Sequence, residues 1–160
     1  RQTDGYGLEI DHADISICVS KGLCVLEQDL NQGLSLFETN AFDWVIMTQA
    51  LQAVANPDIL LQDMLRVGKR CIVTFPNFGH WSIRSYLGRK GRMPKSKDLP
   101  YNWYDTPNIH LCTFKDFEAL CNEKGYCIES RMVVDQSDGL LLKLWPNLFG
   151  STAIYHLSNG

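Results

Sequence analysis

Phe42–Pro76 reads FDWVIMTQALQAVANPDILLQDMLRVGKRCIVTFP. Its first seven residues, Phe42–Thr48, have the continuous apolar character of a strand buried on both faces. Pro57 suits the first turn of a helix, and Ile59, Leu60, Met64, Leu65 and Val67 recur on one face, which predicts a helix over 57–67. Arg70–Pro76 then reads as a strand again. Strand, helix and strand in this order make a parallel crossover unit, and such units imply an α/β sheet covered on both faces. Ligands of these sheets bind outside the C-terminal ends of the strands, so those ends are where function is sought.

Working outward, Tyr6–Asp11 is a short strand that closes on acids. Residues 14–21 carry Ile15, Cys18 and Val19 at helical spacing, and Gly22 fits a helix stop. Cys24–Asp29 is a second short strand. After Pro76 comes a long irregular segment, Asn77–Cys112. Thr113 and Asp116 then form a capping box that starts a helix to about Lys124, ended by Gly125. Tyr126–Val134 and Thr152–Leu157 are the last strands. The pattern has no repeats and is expected to be one domain spanning residues 1–160.

The bulk properties narrow the function class. With 160 residues, 45% of them hydrophobic, the chain can bury a core and is not a disordered segment. A net charge of −3 gives no support to a nucleic-acid partner. No apolar run approaches the roughly 20 residues of a membrane span. The six cysteines include no CxxC pair and no Cys/His ligand spacing, so they read as reduced thiols in a cytoplasmic protein, with no metal site. Cys18, Cys24, Cys71 and Cys127 lie in apolar runs. The basic stretch Arg84–Lys97 is either a solvated loop or a docking surface for an acidic partner.

The strand ends supply the first candidate site. An acid closing a strand of a nucleotide-binding unit can accept hydrogen bonds from ribose hydroxyls, and Glu9 and Asp11 are placed for this. Asp11 can equally cap the following helix. Asp29, about 20 residues on, can take a hydrogen bond from an adenine amino group, or form a turn. Gln49 follows the central strand and faces the same side. The second candidate region is the loop after Pro76. Trp81, Tyr101, Trp103, Tyr104 and Asn108 offer rings that exclude water and groups that orient a small molecule, as a lid does. His80 and His110 are candidate general bases and Asp105 a candidate orienting acid, although each can also be a packing or hydrogen-bonding residue. No Ser/His/Asp order and no GxxxxGK[ST] phosphate loop is present.

The acidic strand ends, FDWVIMTQAL and PDILLQDMLRVGKRCIVTFPN resemble class I S-adenosylmethionine-dependent methyltransferases. RCIVTFPNFGHW, GRMP, LPYNWYDTPNIHLCTFKDFEALC and LWPNLFG are similar to one family of that fold, the methionine-biosynthesis protein MetW. The resemblance covers essentially the whole chain. It implies a Rossmann-like α/β fold with a mostly parallel seven-stranded sheet, the last strand antiparallel. Carried over by position, Glu9 would hold the ribose of S-adenosylmethionine or S-adenosylhomocysteine. Asp29 with the backbone of Leu30 would contact adenine, and Gln49 would lie beside the methionine moiety. It also implies a role in methionine biosynthesis, either as a partner protein of the homoserine O-acyltransferase MetX or, alternatively, as an active methyltransferase on a small-molecule acceptor. A glycine-rich loop resembling DLGCGDG, with its central strand, is expected upstream of Arg1. The 160 residues are thus expected to be part of a longer protein and to fold poorly alone.

Overall fold

The structure, a computed structural model, describes residues 4–96, 99–134, 142 and 144–159. Along the chain run β1 (Gly7–Glu9), α1 (His12–Ser20), β2 (Val25–Glu27), β3 (Phe42–Thr48), α2 (Pro57–Val67), β4 (Gly68–Pro76), α3 (Trp81–Lys90), α4 (Phe114–Lys124), β5 (Tyr126–Val134), α5 (Pro146–Phe149) and β6 (Thr152–Asn159). Two 3₁₀ turns, Leu30–Gln32 and Leu51–Ala53, follow β2 and β3. The strand–helix–strand unit and the capping-box helix fall where the sequence puts them. The Thr113 hydroxyl accepts from the Asp116 N–H while the Asp116 carboxylate accepts from the Thr113 N–H, and Gly125 closes α4 at φ 74°.

Three expectations are met only in part or corrected. First, the α/β fold is present, but the described strands form a two-stranded sheet, β1-β2, and a four-stranded sheet ordered β3-β4-β6-β5, with no seven-stranded sheet among them. β1 pairs with β2 and β3 with β4 in parallel, whereas β6 runs antiparallel to both β4 and β5. The last strand is therefore antiparallel as expected. Second, residues 77–112 are not irregular throughout, because they contain α3. No α3 residue is buried, so no apolar stripe announces the helix. Its ends hold it: His80 caps the start, and Gly91 at φ 60° donates its N–H to the Leu87 carbonyl at the finish. Third, β3 is not buried on both faces. Val45 and Met47 face the core, while Trp44 and Ile46 are 43% and 61% exposed. The Arg70 guanidinium lies 5.4 Å over the Trp44 ring, with His156 on the same face.

The covered face holds the core. Cys71, Val73 and Phe75 of β4 and Tyr155 and Leu157 of β6 pack against Leu61, Met64 and Leu65 of α2 and Phe114, Phe117 and Cys121 of α4. Phe75 stacks on Tyr155 at 5.9 Å, and Phe117 lies 4.6 Å from the same ring. Each fully buried side chain of this size contributes about 1.5–3 kcal/mol through lost apolar exposure. The Tyr155 hydroxyl avoids an unpaired burial by donating to Glu118 at 2.8 Å. Cys24 and Cys127 are exposed rather than core residues, whereas burial pushes the Cys71 thiol up to about 12.

The smaller sheet runs alongside the larger one and in the same direction. At the N-terminal ends of β1 and β3, Tyr6 meets Phe42 edge-on at 6.3 Å. Beyond the C-terminal ends, Asn31 accepts the Ala55 N–H at 2.8 Å. Each parallel pair carries its candidate residues at its C-terminal ends, Glu9 and Asp29 in one and Gln49 and Asn77 in the other, and the Asn31–Ala55 bond links the two.

Candidate functional site

The acidic edge is built from strand ends. β1 stops at Glu9 because its carboxylate turns back and accepts the Ile10 and Asp11 N–H groups at 2.7 and 3.0 Å. Asp11 accepts from Ala13 and Asp14 and caps α1, the second of the two roles open to it. β2 hands over to Asp29, whose Oδ1 accepts both the backbone N–H and the side-chain Nδ2 of Asn31 at 2.9 Å. Leu30 follows as the first residue of the 3₁₀ turn. Glu9 and Asp29 are half-buried, with carboxylates able to accept from a ligand's hydroxyl or amino groups.

Gln49 sits at the exit of β3 in the left-handed region, φ 54°. A non-glycine residue there costs about 1–3 kcal/mol and persists where surrounding bonds impose it. Here the Gln49 N–H donates to the Thr74 carbonyl and hydroxyl, both at 3.1 Å, and its carbonyl accepts Gln52 Nε2 at 2.6 Å. Gln52 is buried, and its Oε1 has no partner among the described residues. Its main-chain carbonyl accepts the N–H groups of Ile109 and His110 at 2.9 and 3.0 Å. His110 Nε2 lies 3.2 Å from the Ala55 carbonyl, and since a carbonyl only accepts, that nitrogen carries a proton.

The loop after β4 starts from Asn77, which is 1% exposed. Its Nδ2 donates to the Asn147 and Gly150 carbonyls at 3.1 and 2.7 Å, and its Oδ1 accepts the Gly79 N–H at 2.8 Å. A Cβ on Gly79 would stand 2.9 Å from that Oδ1 and 3.0 Å from Asn147 O, so only glycine fits. Arg84 Nε donates to the Gly79 carbonyl at 2.5 Å, tying α3 to the start of the loop. Further along, Phe78, Met93, Leu99, Tyr101, Trp103, Asn108 and Leu111 surround a shallow, open hollow of about 50 Å³. The structure therefore brings Tyr101, Trp103 and Asn108 together. Tyr104 packs edge-on against Trp103 at 5.7 Å, outside the lining, and Trp81 stands at the start of α3, 50% exposed.

The three candidate proton-handling groups are not joined to one another. His80 Nδ1 sits 2.7 Å from the Ser82 hydroxyl and accepts the Ser82 N–H as a helix cap. His110 is engaged with Ala55. Asp105 accepts from the Asn102 backbone and side chain at 2.6 and 3.0 Å. That side-chain bond, with lesser help from the backbone and Lys95, holds its carboxyl below the usual carboxylate range. No cluster of three or more His, Cys, Asp or Glu fit for a metal occurs among the described residues. Nor is any described helix long and apolar enough to cross a membrane. Sequence reading missed Asn31, Gln52 and Asn77. The Asn that ends VTFPN was the one visible signal, since a polar residue directly after a buried strand needs partners.

Against this geometry, the family model described as methionine biosynthesis protein MetW matches residues 1–157. A bifunctional methionine biosynthesis protein MetXA/MetW from Rhodopirellula baltica is 34% identical over 158 residues, covering 96% of this chain. The chain spans about a quarter (25%) of that relative's length. Among solved structures, an S-adenosylmethionine-dependent methyltransferase from Mesorhizobium loti superposes with TM-score 0.66 at 13% identity, covering 96% of this chain and 79% of its own. One from Thermotoga maritima, described as a possible histamine N-methyltransferase, gives TM-score 0.63 at 15% identity, with coverages of 97% and 72%. These likenesses establish a methyltransferase-like α/β fold.

Proposed function

The chain belongs to the MetW family, and on that premise we propose that it serves methionine biosynthesis as an S-adenosylmethionine-binding, methyltransferase-fold partner of the homoserine O-acyltransferase MetX. The observation that carries this is the relative in which MetXA and MetW are parts of one polypeptide. Two modules joined covalently meet at high effective concentration, which favours a pair that acts together.

In this reading S-adenosylmethionine or S-adenosylhomocysteine lies along the strand-end rim. Glu9 accepts from the ribose, Asp29 with the Leu30 backbone takes the adenine edge, and Gln49 stands beside the methionine moiety. The acidic, half-buried strand ends and the imposed left-handed conformation of Gln49 support this placement. The cofactor, when bound, supplies an activated methyl group. His80, Asp105 and His110 are each hydrogen-bonded to a different neighbour, an arrangement that favours the partner role over turnover.

The hollow beside Tyr101, Trp103 and Asn108 favours one second reading, an active methyltransferase on a small-molecule acceptor, with Trp81 and Tyr104 at its approaches. Co-elution of the intact protein with MetX on size exclusion tests the partner reading: a shared peak supports it, and separate elution at micromolar concentrations removes it. Glu9→Ala should weaken S-adenosylhomocysteine binding by at least about tenfold in calorimetry, the size of one to two hydrogen bonds to a charged group. Unchanged affinity removes Glu9 from the site.

A further inference from the structure

Resting on the cofactor placement above, we propose that Asn31, Gln52 and His110 form a latch that couples the adenine end of the rim to the C-terminal arm of the loop, residues 106–112. Packing secures the arm at its end, where Cys112 meets the core, but Ile109 and Leu111 are 59% and 55% exposed. Hydrogen bonds supply the rest. Three run to the turn after β3: Ile109 N–H and His110 N–H to the Gln52 carbonyl, and His110 Nε2 to the Ala55 carbonyl. A fourth, from the Phe78 N–H to the Cys112 carbonyl, joins it to the exit of β4.

The turn that receives the arm is itself held from the cofactor side. Ala55 donates its N–H to Asn31 Oδ1 at 2.8 Å, and Asn31 donates through Nδ2 to Asp29 Oδ1 at 2.9 Å. Gln52 Nε2 donates to the Gln49 carbonyl at 2.6 Å. The amide cannot be turned over, because Oε1 would then face the Gln49 carbonyl, so Gln52 keeps this bond although its Oε1 is left unpaired. Asp29 and Gln49, the two residues assigned to opposite ends of the cofactor, therefore converge on one turn, and that turn carries the arm. A ligand that donates to Asp29 fixes the carboxylate that positions Asn31. Asn31 in turn holds Ala55, and the arm is ordered without touching the ligand. His110 is then a positioning residue.

Hydrogen exchange of the intact protein with and without saturating S-adenosylhomocysteine tests this, with occupancy checked by calorimetry for each variant. Ligand should slow exchange of the Ile109 and His110 amides at least tenfold in the natural sequence. Asn31→Ala, an exposed position, should cut that slowing below threefold at full occupancy, and His110→Phe, which keeps the ring but loses its N–H, should do the same. Equal slowing in both variants overturns the latch, as does a bound ligand that leaves the two amides unchanged. If calorimetry shows no binding at all, the cofactor placement falls first and the latch with it.

Discussion

Replacing Asn77 by alanine removes three hydrogen bonds at a point that is 1% exposed. The Gly79 N–H loses its acceptor, and the Asn147 and Gly150 carbonyls lose their donor. A hydrogen bond of this kind contributes about 1 ± 0.5 kcal/mol net, so the loss is about 3 kcal/mol with little solvent to compensate. For a domain of this size each kcal/mol moves the melting temperature by about 2–4 °C, giving an expected fall of about 6–12 °C. Asn77→Asp keeps an acceptor for Gly79 but sets a carboxylate oxygen against two carbonyls, so at pH 7 it should lose at least as much. Asn56→Ala is the control: its side chain makes no cap bond, and the change should stay within about 0.5 kcal/mol. Thermal unfolding of the intact protein, followed by circular dichroism, reads all three. A fall under 2 °C for Asn77→Ala would refute the argument that this side chain pins the β4 exit to the α5 segment.

Three further outcomes follow from the same contacts. Burial, the largest single influence on Asp63, pushes its carboxyl up, but the Leu34 N–H and Arg66 together hold it below the usual range. A depressed folded-state value gives stability that is present above the unfolded value of 3.8 and is lost as pH falls through the folded one. Asp63→Asn should therefore cost about 1.5–3 kcal/mol in urea unfolding at pH 7, with the gap to the natural sequence closing below pH 3.8. Gln49→Gly relieves the left-handed conformation and should raise the melting temperature by about 2–4 °C while weakening S-adenosylhomocysteine binding; a drop in stability would mean the side chain holds the fold instead. Tyr155→Phe keeps the ring stack but removes the bond to Glu118, which stays paired with Arg131 at 2.6 Å, so denaturant unfolding should show a loss of only about 1 kcal/mol.

What was legible in the sequence had a local signature. Pro57 and the stripe of Leu60, Met64, Leu65 and Val67 give α2 to the residue, because start signal and core face agree there, although Ile59 of that stripe is exposed and Leu61 joins the core instead. Thr113, Asp116 and Gly125 give α4 for the same reason. The exposure of one face of β3 was not legible: Trp44 and Ile46 read as buried because an apolar residue looks the same whichever face it occupies. α3 was invisible because it is held by caps rather than by an apolar face. Glu9, Asp29 and Gln49, the residues proposed for the cofactor, were picked out from their places at strand ends. The partners that organise them could not be, since Asn31 meets Ala55 across 24 residues and Gln52 meets His110 across a loop, and such contacts leave no periodic trace. For the histidines the sequence left a base or a hydrogen-bonding role open, and the geometry gives His80 a cap to make and His110 a carbonyl to hold.

The partner role is most directly tested by the initial rate of homoserine acylation by MetX, measured alone and with an equimolar amount of the intact protein. A rate that changes at least severalfold on addition, and returns when the protein is removed, is the predicted result. An unchanged rate across a tenfold excess would contradict it.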